Sequence, residues 1–249
     1  LRKILRDKHD LNYNLSTAWE IGEPETWSSA NAILSRCEIK YSQLQRLPFV
    51  VNESLFKSEK VGKKLASLEK YVSVTQNVQM VNLEIPDRGK MNVYNTHLCA
   101  RTDIDGRAEQ LEEMLEYINN METQMMAGNP SVIGGDFNFD RFDNKGAEKF
   151  LWEKIVSAGF IDAYADYVIN HSGQEEALDT LCENEDSADE HCTVGVSELN
   201  GHNARRVDYV FLKSYANIKS ASVVFNTRVN ANQPSVSDHA GVFISVELP

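Results

Sequence analysis

Four short stretches carry residue types suited to chemistry. They are YNTHL (94–98) with Asn95 and His97, SVIGGDFNFD (131–140) with Asp136 and Asn138, RRVDYVFL (205–212) with Asp208, and SVSDHAG (235–241) with Asp238 and His239. Residues two apart on a strand leave the same face, so Asn95 projects with His97 and Asp136 with Asn138. Taken singly, each is an ordinary turn or capping residue. Asp208 stands in an apolar run and needs a partner, either Arg205, Arg206 or a histidine. Taken together, the set suits phosphate-ester hydrolysis. Carboxylates hold a hard divalent cation such as Mg²⁺, which neutralises phosphate oxygens. A histidine oriented by a carboxylate removes a proton from water. Amides donate to phosphoryl oxygens without adding negative charge. Zinc suits the set less, because only two of the six histidines take part and there is no HExxH.

The elements around these stretches read as an α/β chain. Residues 1–9 read as the end of a helix. NAILSR (31–36), PFVV (48–51), KYVSVTQ (70–76) and VQMVNLEI (78–85) read as strands, and PDRGK (86–90) as a turn into the strand MNVYNTHL (91–98). Ala108, Leu111, Met114, Leu115, Ile118 and Met121 recur at helical spacing, so a helix is expected over 105–125, ended by Gly128, Asn129 and Pro130. A second helix is expected near 146–158. Residues 170–204 are polar and read as one long irregular connection. Strands close the chain at 206–212, 219–225 and 240–248. No linker or repeat interrupts the 249 residues, so one domain is expected over 1–249.

A net charge of −12 argues against a tight, sequence-independent nucleic-acid clamp, but not against an enzyme that touches nucleic acid briefly and brings its own cation. No apolar run approaches the roughly 20 residues that span a bilayer. The four cysteines form no CxxC pair. Cys182 and Cys192 flank the acidic loop CENEDSADEHC, and a disulfide could close it in an oxidising, secreted or periplasmic, compartment. Cys37 and Cys99 sit in apolar contexts and are expected to be buried thiols.

NTHL, GGDFN, RRVDYVFL and SDHAGV, in that order, resemble the endonuclease/exonuclease/phosphatase superfamily, which includes DNase I and neutral sphingomyelinases. AILSR resembles a further strand of that family. The resemblance covers residues 31–248 and implies a four-layer α/β sandwich of two mixed β-sheets flanked by helices. It implies a metal-dependent phosphodiesterase, monomeric, using Mg²⁺ with Mn²⁺ or Ca²⁺ as substitutes. By the same resemblance, His239 is the general base held by Asp208, Asp136 orients the nucleophile and touches the metal, and Asn138 faces the phosphate. Asp238 is a metal or outer ligand, His97 assists the phosphate or leaving group, and Asn95 lines the site wall. Glu69, in SLEKYVSV, is either a partner for His97 or a solvated strand charge.

The family pattern starts with a strand ending in Asn and a second ending in Glu, the principal metal ligand. After them come a helix and a tyrosine-bearing segment, which LRKILRDKHDLNY resembles. That Glu is therefore absent from the chain, and roughly 30–50 N-terminal residues are expected before Leu1. The polar VFNTRVNANQPSVSDH lowers the likeness to membrane-entering sphingomyelinases. HNARR and CARTDIDGR supply a few cations but no basic patch. The substrate is left between nucleic acid and a phospholipid head group. The rival reading is a catalytically impaired partner-binding module on the same fold.

Overall fold

The computed structural model describes residues 2–9, 11–21, 29–48, 76–100, 103–141, 147–172, 182, 191–194, 204–215, 217–226 and 237–249. Glu69, residues 49–51 of PFVV and residues 70–75 of KYVSVTQ lie outside them. Two compact units divide the chain, Leu1–Asn129 and Pro130–Pro249.

The first unit runs α1 (Arg2–His9), β1 (Asn14–Ile21), β2 (Ser29–Ser35), β3 (Glu38–Arg46), β4 (Asn77–Ile85), β5 (Gly89–His97) and α2 (Ile104–Gln124). β1 pairs antiparallel with β2, and β4 lies between β3 and β5, antiparallel to both. The period-2 alternation of β4 and β5 separates two faces. Val81, Leu83, Met91 and Val93 pack with Ile33 of β2 and with Cys37 and Ile39. On the other face Tyr94 meets the ring of Tyr117 on α2 edge-on. Helix α2 begins where the side chain of Asp103 accepts from the Gly106 N–H at 3.0 Å. It buries Leu111, Met114, Ile118 and Met121 of the stripe its spacing predicts, together with Gln110 and Tyr117, while Ala108 and Leu115 stay half-buried.

The second unit runs β6 (Ser131–Asp136), α3 (Lys149–Ser157), β7 (Ile161–Asp162), α4 (Ala163–Ser172), β8 (Asp208–Lys213), β9 (Asn217–Val224) and β10 (Gly241–Glu247). β8 lies between β6 and β7, antiparallel to both, while β9 and β10 form a separate antiparallel pair. One face of β6 and β8, through Val132, Val210 and Leu212, packs with Ala163 and Tyr167 of α4, Ile218 of β9 and Ile244 of β10. Past the other face Phe137, Phe139, Tyr209 and Phe211 form an aromatic cluster with ring centroids 5.3–5.8 Å apart. Such pairs add to the gain from area burial.

Three expectations are corrected. The second expected helix begins at Lys149, three residues later than the sequence suggests. Residues 170–172 belong to α4, which runs on to Ser172 and so takes up the first residues of the stretch read as irregular. Cys37 and Cys99 are part-buried free thiols, not fully buried ones. Among the described residues no helix is long and apolar enough to cross a membrane.

Candidate active site

The pairing of β6 with β8 places Asp136 directly opposite Asp208, the last residue of one strand against the first of the other. Asp208 therefore opens its strand instead of sitting within it. Facing side chains on an antiparallel pair share one side of the sheet, and two carboxylates so placed repel each other. A positive group must compensate them. His239, two residues before β10, supplies one: its Nδ1 lies 2.8 Å from Asp208 Oδ2 and donates to it, because a carboxylate oxygen only accepts. One ligand atom from each of Asp136, Asp208 and His239 falls within 4.8 Å of the others. All three side chains are half-buried, so the group is reachable from solvent. The two facing carboxylates offer the oxygen donors that a hard divalent cation takes, and their charges supply the electrostatic demand for one.

The hydrogen bond to Asp208 raises the His239 pKa most. Burial opposes it, and the charges of Asp208, Asp136 and Asp238 add to it, pushing the imidazole up to about 9.

SVIGGDFNFD leaves the strand earlier than its alternation suggests. The Asn138 N–H donates to Asp136 Oδ1 at 2.8 Å, and Asn138 takes a left-handed backbone, φ 51°. Asparagine tolerates that region, so the stretch after Asp136 is a turn. Phe137 and Phe139 are both buried all the same, because the turn drops both rings into the aromatic cluster. Gly135 has φ 148°, a value that favours glycine. A side chain at Gly134 would meet only the Tyr209 carbonyl at 3.9 Å, so no close approach requires glycine there.

The partner of Asp208 is settled by where the arginines go. Arg206 is buried and bonds Asp162 through both terminal nitrogens, at 3.0 and 2.5 Å. Arg205 bonds Glu148 at 2.6 Å. Asp238 is exposed beside His239 and outside the three-residue cluster. Asn95 and His97 lie on one half-exposed face of β5 in the first unit, where the Asn95 amide donates to the Ala32 carbonyl at 3.3 Å. Sequence reasoning missed Thr193. Its Oγ1 accepts from the Val207 and Asp208 N–H groups, both at 3.1 Å. It lies in the stretch read as irregular, where only a β-branched pair after Cys192 hints at a strand.

No protein-family model and no curated protein matches the sequence. Solved structures do match. An endonuclease/exonuclease/phosphatase from Beutenbergia cavernae is 18% identical over 94% of this chain and 53% of its own, with a TM-score of 0.61. The chain thus spans about half of that protein's length. An endonuclease/exonuclease/phosphatase family protein from Leptotrichia buccalis is 19% identical over 99% of this chain and 76% of its own, TM-score 0.60. A mannosyl-6-phosphatase from Bacteroides thetaiotaomicron is 15% identical over 94% and 76%, TM-score 0.61. The fold is the one these structures share, an α/β arrangement of β-sheets and helices.

Proposed function

We propose that the protein is a divalent-metal-dependent hydrolase of phosphate esters, acting on phosphodiesters of nucleic acid or of a phospholipid head group. The observation that carries this reading is the convergence of Asp136, Asp208 and His239, with the imidazole already bonded to a carboxylate. The fold shared with a mannosyl-6-phosphatase supports phosphate-ester chemistry. Asp136, with Asp208 beside it, would hold the cation. Mg²⁺ bound there would neutralise phosphate oxygens and, as an added positive charge, favour the neutral imidazole that a base requires. His239 takes the proton of the attacking water at Nε2. Asp208 keeps the Nδ1 proton in place and stabilises the imidazolium that forms. Asn138, at the mouth of the turn, donates to a phosphoryl oxygen. Turnover of bis-p-nitrophenyl phosphate with Mg²⁺, its loss in EDTA, and a fall of roughly 10²–10⁴-fold in His239→Ala are the expected results. Absence of metal-dependent turnover with any phosphate diester or monoester sinks the reading. Plasmid DNA, RNA and sphingomyelin assayed side by side separate the substrates.

A further inference from the structure

Asp208 and His239 come from segments 31 residues apart in sequence, yet a single strap touches both. On one side, the Thr193 and Val194 N–H groups donate to the Arg205 carbonyl at 2.9 and 3.0 Å, and the Arg205 N–H returns a bond to the Val194 carbonyl at 2.9 Å. On the other side, Val194 bridges to His239, and the Ala240 N–H donates to the Thr193 carbonyl at 2.7 Å. Thr193 is fully buried, and its Oγ1 takes the N–H groups of Val207 and Asp208. The preceding residue, Cys192, is fully buried against Ala240 and joined to Cys182 in a disulfide. One end of the strap is therefore covalently tethered, while its middle bonds the backbone of both halves of the dyad.

We propose that Thr193, tethered through the Cys182–Cys192 disulfide, is a positioning residue that sets the distance between Asp208 and His239. The inference rests on the hydrolase reading for its kinetic consequence but not for its geometry. The physical reason is local. The two amides held by Thr193 Oγ1 fix where β8 begins, so they fix where the Asp208 carboxylate stands. The Thr193 carbonyl fixes the backbone immediately after His239. Without Oγ1, the Val207 and Asp208 N–H groups lose an acceptor and the start of β8 shifts to find another. Without the tether, the strap can slide between its two neighbours.

The test uses the full chain and two readouts. One is kcat and KM on bis-p-nitrophenyl phosphate with Mg²⁺. The other is the deshielded Nδ1 proton of His239 in the NMR spectrum, which reports the bond to Asp208 without any turnover. Thr193→Val is expected to lower kcat by roughly 10- to 100-fold, the range for a small misplacement of a catalytic group, with KM within about twofold. The Nδ1 resonance is expected to shift or vanish while circular dichroism keeps its native form. Thr193→Ser restores both readouts. The double variant Cys182→Ser/Cys192→Ser changes both in the same direction as Thr193→Val. So does treatment with a dithiol, which delivers two electrons and two protons to the S–S bond and leaves two thiols on the chain and a disulfide on the reductant. If Thr193→Val does not fold, the cysteine variant and the dithiol decide. An unchanged kcat and an unchanged resonance overturn the proposal. A resonance that responds in a protein with no turnover supports the positioning role and sinks the hydrolase reading alone.

Discussion

The two units bury polar groups in different ways. The first buries the charged Arg107 but cross-links its strands and loops chiefly through neutral amides: Asn82 donates to Asn92 at 2.8 Å, Asn129 reaches the same oxygen at 3.4 Å, and Gln110 accepts from the Cys99 N–H and donates to the Pro48 carbonyl. The second buries a full ion pair, Arg206 with Asp162. Trp152 and the Ala165 N–H also bond that carboxylate, and the rings of Tyr164 and Tyr209 lie against the guanidinium. An amide loses little on leaving water once it is bonded. A charge loses several kcal/mol and recovers it only with its partner in place. The amides cross-link strands cheaply. The ion pair makes the approach to β8 intolerant of any single change, and β8 is the strand that presents Asp208.

Removing one partner of each arrangement should expose this difference. Arg206→Met leaves Asp162 buried without its counter-charge and is expected to cost about 3–5 kcal/mol in urea unfolding, the largest effect here. Asn82→Ala leaves the Asn92 amide short of one bond and should cost about 1–3 kcal/mol by the same measurement. Equal losses in the two variants would break the comparison.

Acid and alkali should each act on the second unit, which holds both Asp162 and His239. Burial pushes the Asp162 carboxyl up, but the Arg206 charge and the hydrogen bonds from Arg206 and Ala165 outweigh it and hold the group below the usual carboxylate range. A depressed folded pKa gives stability that is present above the unfolded value and lost as pH falls through the folded one. His239 runs the other way. Its pKa of about 9 gives the metal-free protein stability that is complete below the ordinary histidine value, near 6.5, and lost as pH rises through 9. Urea midpoints in EDTA should therefore fall at both ends of the pH range, and His239→Asn should remove only the alkaline limb. An alkaline limb that survives in His239→Asn would assign it to another group. The smallest effect is expected at Asn95→Ala, within about 0.5 kcal/mol, because its 3.3 Å bond is made at an exposed position.

Within each unit some elements were legible in the sequence and others were not. Helix α2 follows from apolar periodicity, and strands β4, β5, β6 and β8 from short apolar runs bounded by turn residues. Strands β1 and β3 do not. β3 alternates between half-buried and exposed positions, but its inner positions include Ile39, Tyr41, Gln43 and Gln45 mixed with polar neighbours, so no apolar period marks it. Helix α4 starts on a carboxylate already engaged with Arg206, and its aromatic stripe does not resemble a leucine-rich helix face. Thr193 was invisible because a strap of three residues has no periodicity to read.

The order of NTHL, GGDFN, RRVDYVFL and SDHAGV pointed to the fold class through the family resemblance those stretches carry, and their residue types marked Asp136, Asp208 and His239 as candidates. Strand ends, turn residues and carboxylates in apolar runs are properties of short segments, so a sequence can display them. Only the tertiary structure decided the pairings. Arg206 stands two residues from Asp208, yet it turns to Asp162, because a buried guanidinium requires a carboxylate as buried as itself. Asp208, half-exposed at the start of its strand, is left to His239. Partner choice depends on which groups share a low-dielectric interior, and sequence distance does not record that.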